Sequence, residues 1–336
     1  MPTFCRHSRL IQNCPICSRE QSVELRPIVS SGTPKVSSPR PAGGAGRGAG
    51  AAGSGTARAR GARQSATGLR VRRLARGEDD GYSSPLLPGL KSSEDADRLA
   101  KEIAFATYRL DVLEHEPPGL FVEVADSEVD REERTWLAFL IAYLGPLETD
   151  DPFSAISAAR TTWASGELPD LEGVEIGPRS AHDPARGLVT VEAYRAWAAR
   201  AGTQFGAFTG EPTWTPERRF ARVFERLALP GMHRDARFEL LVLLGQLSVY
   251  EMQAAALQFG GTNETTLAAK RALGIGDSLL LERRAASLAQ ACQVPLAALD
   301  LAFHNWGSGT RFHGGLPPSA DAAPDQVDAP RAALGL

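Results

Sequence analysis

The sequence predicts an all-α domain, and three observations predict it. Apolar residues recur at three- and four-residue spacing over most of the chain after residue 90. Pro and Gly fall between these periodic segments rather than within them. Strand-like runs are confined to 120–124 and 188–191. No run of about 18 apolar residues occurs, so a transmembrane helix and a membrane partner are not expected. The polar N-terminus lacks a secretory pattern, and the expected location is cytoplasmic.

The helices are expected in the following order. Ser92 or Ser93 caps a helix over 94–114, with Leu99, Ile103, Ala106, Leu110 and Leu113 on one face and Pro117-Pro118 as the stop. The segment 128–144 repeats the pattern through Trp136, Leu140 and Leu144, and Gly145-Pro146 ends it. A third helix is expected over 152–164 and a fourth over 191–201, capped by Thr190. Thr215-Pro216-Glu217 starts a fifth, with Pro in the first turn. The strongly apolar 234–248 reads as a buried central helix, and 250–259 as its continuation or a separate helix. Segments 262–273, 277–293 and 295–305 complete the set.

Charge divides the chain unevenly. The total of 37 Lys and Arg against 40 Asp and Glu hides a basic arm. Residues 26–77 hold eleven basic residues and no acid, whereas 78–336 hold 23 bases and 38 acids, a net of −15. The Gly/Ala/Arg-rich arm is too poor in apolar residues to offset chain entropy, so 26–81 is expected to be a disordered basic linker. Such an arm suits phosphate, although a plain spacer has the same composition. The body is expected over 82–315, followed by a frayed tail over 316–336.

Ahead of the linker, residues 1–25 carry Cys5, His7, Cys14 and Cys17, four soft ligands within thirteen residues. This set fills a tetrahedral zinc shell, and the CxxC supplies two ligands from one turn. A structural Zn²⁺ in a small knuckle is expected, docking on nucleic acid or protein. Cys292 falls on an amphipathic segment and reads as a small core residue.

In the body, Leu273-Gly274-Ile275-Gly276-Asp277 joins two helical segments. The glycines permit a tight turn whose N–H groups can hold a phosphate, and Lys270 and Arg271 precede it. Asp277 caps the second helix but adds a negative charge. An ordinary αα-hairpin shows the same pattern. Asp300 lies among apolar residues with His304 at i+4 on the same face, either as a base with its partner or as a structural contact. Glu251, beside Tyr250 and Gln253, is a second acid in an apolar stretch, unless it points to solvent. Arg283 and Arg284, after Glu282, form a solvated face or meet phosphate.

The order of an all-α body, a GIG hairpin and an acid some twenty residues later resembles the helix-hairpin-helix DNA glycosylase superfamily. More narrowly, AFATYRLDVLE, ALGIGDSLLLERRA and ALDLAFHNWG look like the clade 3 α-glutamyl/putrescinyl thymine pyrophosphorylases, over roughly residues 95–309. The resemblance implies an enzyme that displaces pyrophosphate from a 5-hydroxymethyl-type pyrimidine in DNA with an amine or amino acid. With that chemistry, Lys270, Arg271, Gly274, Ile275 and Gly276 are expected to contact DNA, Asp300 or Glu251, with His304, to act as base or electrostatic partner, and Arg283 or Arg284 to stabilise the leaving group. No lysine stands at the hairpin, where Asp277 and Ser278 lie, which argues against lyase-type excision and leaves simple base excision open. A non-catalytic zinc-bearing nucleic-acid or protein adaptor is the alternative from another class, and the net charge of the body favours it.

Overall fold

In the computed structural model, residues 77–336 are described. Cys5, His7, Cys14, Cys17 and most of the basic arm lie outside them.

Twelve α-helices and no strands occur among the described residues. The first, α1 (Ser93–His115), starts where Ser92 accepts from the Asp95 amide. Next come α2 (Leu120–Ala125), α3 (Arg131–Leu144) and α4 (Ser154–Ala159). After a long irregular segment follow α5 (Val189–Arg200), α6 (Gln204–Thr209), α7 (Pro216–Arg226) and α8 (Arg234–Gln246). The chain closes with α9 (Glu264–Leu273), α10 (Ser278–Cys292), α11 (Ala298–Ser308) and α12 (Pro324–Leu334). Caps follow the sequence signals: Thr215 caps α7, Asn263 caps α9 and Asp277 caps α10, each accepting from an amide three residues on.

The core forms where α3 packs on α8, because both are apolar nearly all round. Phe139 of α3 stacks on Tyr194 of α5 at 3.8 Å between ring centres, and Phe220 meets Phe238 edge-on across α7 and α8. The second layer is α1 packed against α11 and α12, with α9 behind α11. Cys292 is buried here as a core residue, and burial pushes its thiol up to about 11.

Five segments differ from expectation. Both strand-like runs are helical: 120–124 is α2 and 188–191 begins α5, since no partner strand exists among the described residues. The last α2 carbonyls, of Val124 and Ala125, accept instead from the Arg134 guanidinium. The third helix shortens to α4. Residues 250–259 are irregular, for reasons that define the site below. Residues 316–336, expected to fray, contain α12, which is held by Arg331 on Asp97, by the Tyr82 hydroxyl on the Leu334 carbonyl and by buried Leu334.

Candidate functional site

The irregular stretch 248–260 leaves α8 with Ser248 at φ 55° and closes with Gln258 at φ 56°. Neither is glycine, so each sits in a left-handed conformation that costs about 1–2 kcal/mol. Ser248 occupies the position after the helix where glycine is usual. Such strain persists only where surrounding contacts over-determine it, and these contacts are numerous. Gly245 lets the segment approach α8: a Cβ there would lie 2.4 Å from the Met252 carbonyl oxygen. Arg219, buried on α7, donates to the Glu251 carbonyl at 2.6 Å, and the Gln253 amide reaches the Pro216 carbonyl at 3.3 Å. Further along, Glu282 of α10 accepts from the Leu257 and Phe259 amides, each at 2.7 Å. Arg234 donates to the Leu257 and Gln258 carbonyls from the other side. The segment is a rigid loop, not a melted helix.

A groove of about 540 Å³ opens over the start of this loop. Its lining combines three kinds of group. Phe205 of α6 is 44% exposed and stacks near-parallel on Tyr250, with ring centres 6.3 Å apart. Arg131, the first residue of α3, lies 5.1 Å from the Phe205 ring centre and 5.9 Å from that of Tyr250. The Glu251 carboxylate is 85% exposed and 3.7 Å from Arg219. Tyr250 is fixed by its hydroxyl on Thr135 at 2.9 Å, and burial raises its phenol above the ordinary value.

Behind the loop lies a buried ionic network. Asp300, in the first turn of α11, is 2% exposed, and both its oxygens are taken: Arg179 holds one at 2.7 Å and Arg234 the other. Arg234 also meets Asp235 at 2.9 Å, Arg109 meets Glu239 at 2.5 Å, and Arg179 lies 3.6 Å from Glu239. Three guanidiniums thus face three carboxylates. Burial works against the Arg179 charge, but Asp300, Asp235 and Glu239 together raise its pKa above the ordinary arginine value. Burial likewise opposes the Asp235 charge, and Arg179 and Arg234 more than reverse this. His304 is pushed down to about 4 by burial and by Arg179, so it is neutral at pH 7, and its Nδ1 is buried without a hydrogen-bond partner.

Asp300 therefore does not form the expected pair with His304. Its carboxylate is committed to two arginines, and through Arg234 it braces the loop that carries Glu251. Asp300 acts as a positioning residue in this arrangement, while Glu251 is the carboxylate open to a ligand. Arg179, on the non-periodic stretch 160–188, was not legible in the sequence; nor were Arg131, Phe205 and Arg219, whose roles depend on contacts distant in the chain.

α9 and α10 are joined by the short turn 274–277. Gly274 ends α9 in the left-handed conformation, and Asp277 starts α10. The Gly89 amide donates to the Ala272 carbonyl, and a Cβ at Gly89 would lie 1.9 Å from the Arg271 carbonyl oxygen. Gly276 is exposed, lacks a positive φ, and a Cβ there would meet nothing within 4 Å. Lys270 and Ile275 are half-buried beside the turn, and Arg271 lies over the Trp306 ring at 4.1 Å. Arg283 and Arg284 are both exposed, and Arg284 donates to the Leu273 carbonyl and so caps α9. Neither lines the groove, whose cations are Arg131 and Arg219. Among the described residues no cluster of metal-ligating side chains occurs, and no helix is long and apolar enough to cross a membrane.

No family model, curated protein or solved structure matches the chain.

Proposed function

We propose that the chain is a DNA base-modifying enzyme, acting on a 5-hydroxymethyl-type pyrimidine whose hydroxyl carries pyrophosphate, with an accessory zinc knuckle at its N-terminus. In this reading the α9–α10 turn holds backbone phosphate. The reaction breaks the C–O bond to pyrophosphate, which leaves with the electron pair. A C–N bond forms to an amine or amino acid, and the Glu251 carboxylate takes the proton released by the amine. Arg131 and Arg219 stabilise the departing charge. Asp300, through Arg234, holds the loop behind the groove, and His304 lies buried beside this ionic network.

The observation that carries the reading is Gly276. Neither backbone conformation nor packing requires glycine there, yet a bare exposed turn is what a phosphate needs for close approach to N–H groups. The same hairpin helix supplies Glu282, which fixes the loop bearing Glu251. Pyrophosphate release from DNA carrying the pyrophosphorylated base, measured with and without added amine, tests the reading. Release that depends on amine supports it; release of free base instead favours a glycosylase. The net charge of −15 over residues 78–336 favours the adaptor reading, in which neither product appears.

A further inference from the structure

We propose that the groove between α3, α6 and the 248–253 turn is a nucleotide site: a pyrimidine stacks on the exposed face of Phe205 and its phosphate meets Arg131. The inference rests on the DNA reading above and gives that reading a location for the extrahelical nucleotide.

A nucleotide needs a flat apolar surface for the base, a cation for the phosphate, and polar groups at the base edge. The groove supplies each from a different element. Phe205 gives the surface. Its exposure is unusual for a phenylalanine backed by a second aromatic ring, since Tyr250 and Phe208 stack behind it and fix its plane. Arg131 sits at the rim, exposed to solvent, with its guanidinium over the Phe205 and Tyr250 rings. Glu251 and Gln253, both exposed, add an acceptor and a mixed donor–acceptor to the lining. The volume, about 540 Å³, falls within the 300–1,000 Å³ usual for small-molecule sites. The rigid loop beneath means that little ordering is required on binding.

The ligand chemistry is a pyrimidine nucleotide, either free or within a strand, and two probes separate these sources. Calorimetric titration of the full-length protein with dTMP and with a single-stranded thymidine octamer is the experiment. Phe205→Ala and Arg131→Gln are the test variants. Both positions are exposed, and melting curves confirm folding. Arg222→Gln, at an exposed arginine paired only with Glu225, is the control. Each test variant is expected to weaken octamer binding about tenfold or more, the size of one lost stacking or phosphate contact, and the control to leave it unchanged. Octamer binding that falls with Lys270→Gln but not with the two groove variants overturns the groove and leaves the DNA reading standing. Groove-dependent binding of dTMP alone, with no octamer binding, supports the nucleotide site and overturns the DNA reading. Binding of neither probe overturns both.

Discussion

Replacing Asp300 by Asn keeps the shape of the side chain and removes its charge. In the folded protein the Asp300 carboxylate neutralises Arg179 and Arg234 within a buried set of three guanidiniums and three carboxylates. The amide leaves that set with one uncompensated positive charge. Breaking a buried pair from one side typically costs about 3–5 kcal/mol. A domain of this size loses about 2–4 °C of melting temperature per kcal/mol, so Asp300→Asn should lower Tm by about 6–20 °C. Urea unfolding at pH 7 gives the free energy directly. Hydrogen exchange should show faster opening at the Leu257 and Phe259 amides, because Arg234 no longer braces the loop from behind. A variant that unfolds within about 1 kcal/mol of the parent would refute the positioning role and return Asp300 to the list of free carboxylates.

Four further outcomes are expected. His304 holds a folded pKa of about 4, below the ordinary histidine value of about 6.5, so the unfolded chain binds the proton first and stability falls as pH drops from about 6.5 to about 4. The loss is of order 3 kcal/mol, and His304→Gln should flatten that part of the urea-measured profile; an unchanged slope contradicts it. Gly245→Ala places a Cβ against the Met252 carbonyl oxygen, so crystallography or hydrogen exchange should find the 248–253 turn displaced and the groove altered, at a cost of about 1–3 kcal/mol for overpacking. Cys14→Ser should lower zinc from about one per chain by elemental analysis, while the helical body stays folded; equal metal content in parent and variant contradicts the knuckle. Deleting residues 26–77 should flatten the salt dependence of DNA binding, and an unchanged slope makes the arm a spacer.

The parts of the fold that were legible in the sequence are those with local causes. The first helix was placed to within one residue at each end, because Ser92 caps it and Pro117-Pro118 follows its stop. The turn between α9 and α10 was legible for the same reason: Gly274 and Asp277 act on their own helix ends. The segment 250–259 misled, because its apolar residues do bury. What denies it helical form is distant in the chain, with Arg219, Arg234 and Glu282 taking the backbone groups a helix would pair internally. Glu251 and Gln253 were the only local sign, as polar groups that a core helix would not carry. Phe205 gave no signal, since α6 is six residues long and contains Gly206. Arg179 lies in a stretch without period, and its partners are 60 to 121 residues away.

Under the proposed function, this body performs chemistry on a DNA base through the carboxylate at the groove. Mass spectrometry of nucleosides, from DNA carrying the pyrophosphorylated 5-hydroxymethyl pyrimidine incubated with amine and protein, tests it most directly. The expected product is a new nucleoside whose mass corresponds to loss of pyrophosphate and gain of the amine, formed by the parent and lost in a folded Glu251→Gln variant. An unchanged nucleoside profile with the parent protein, or full activity in Glu251→Gln, would contradict it.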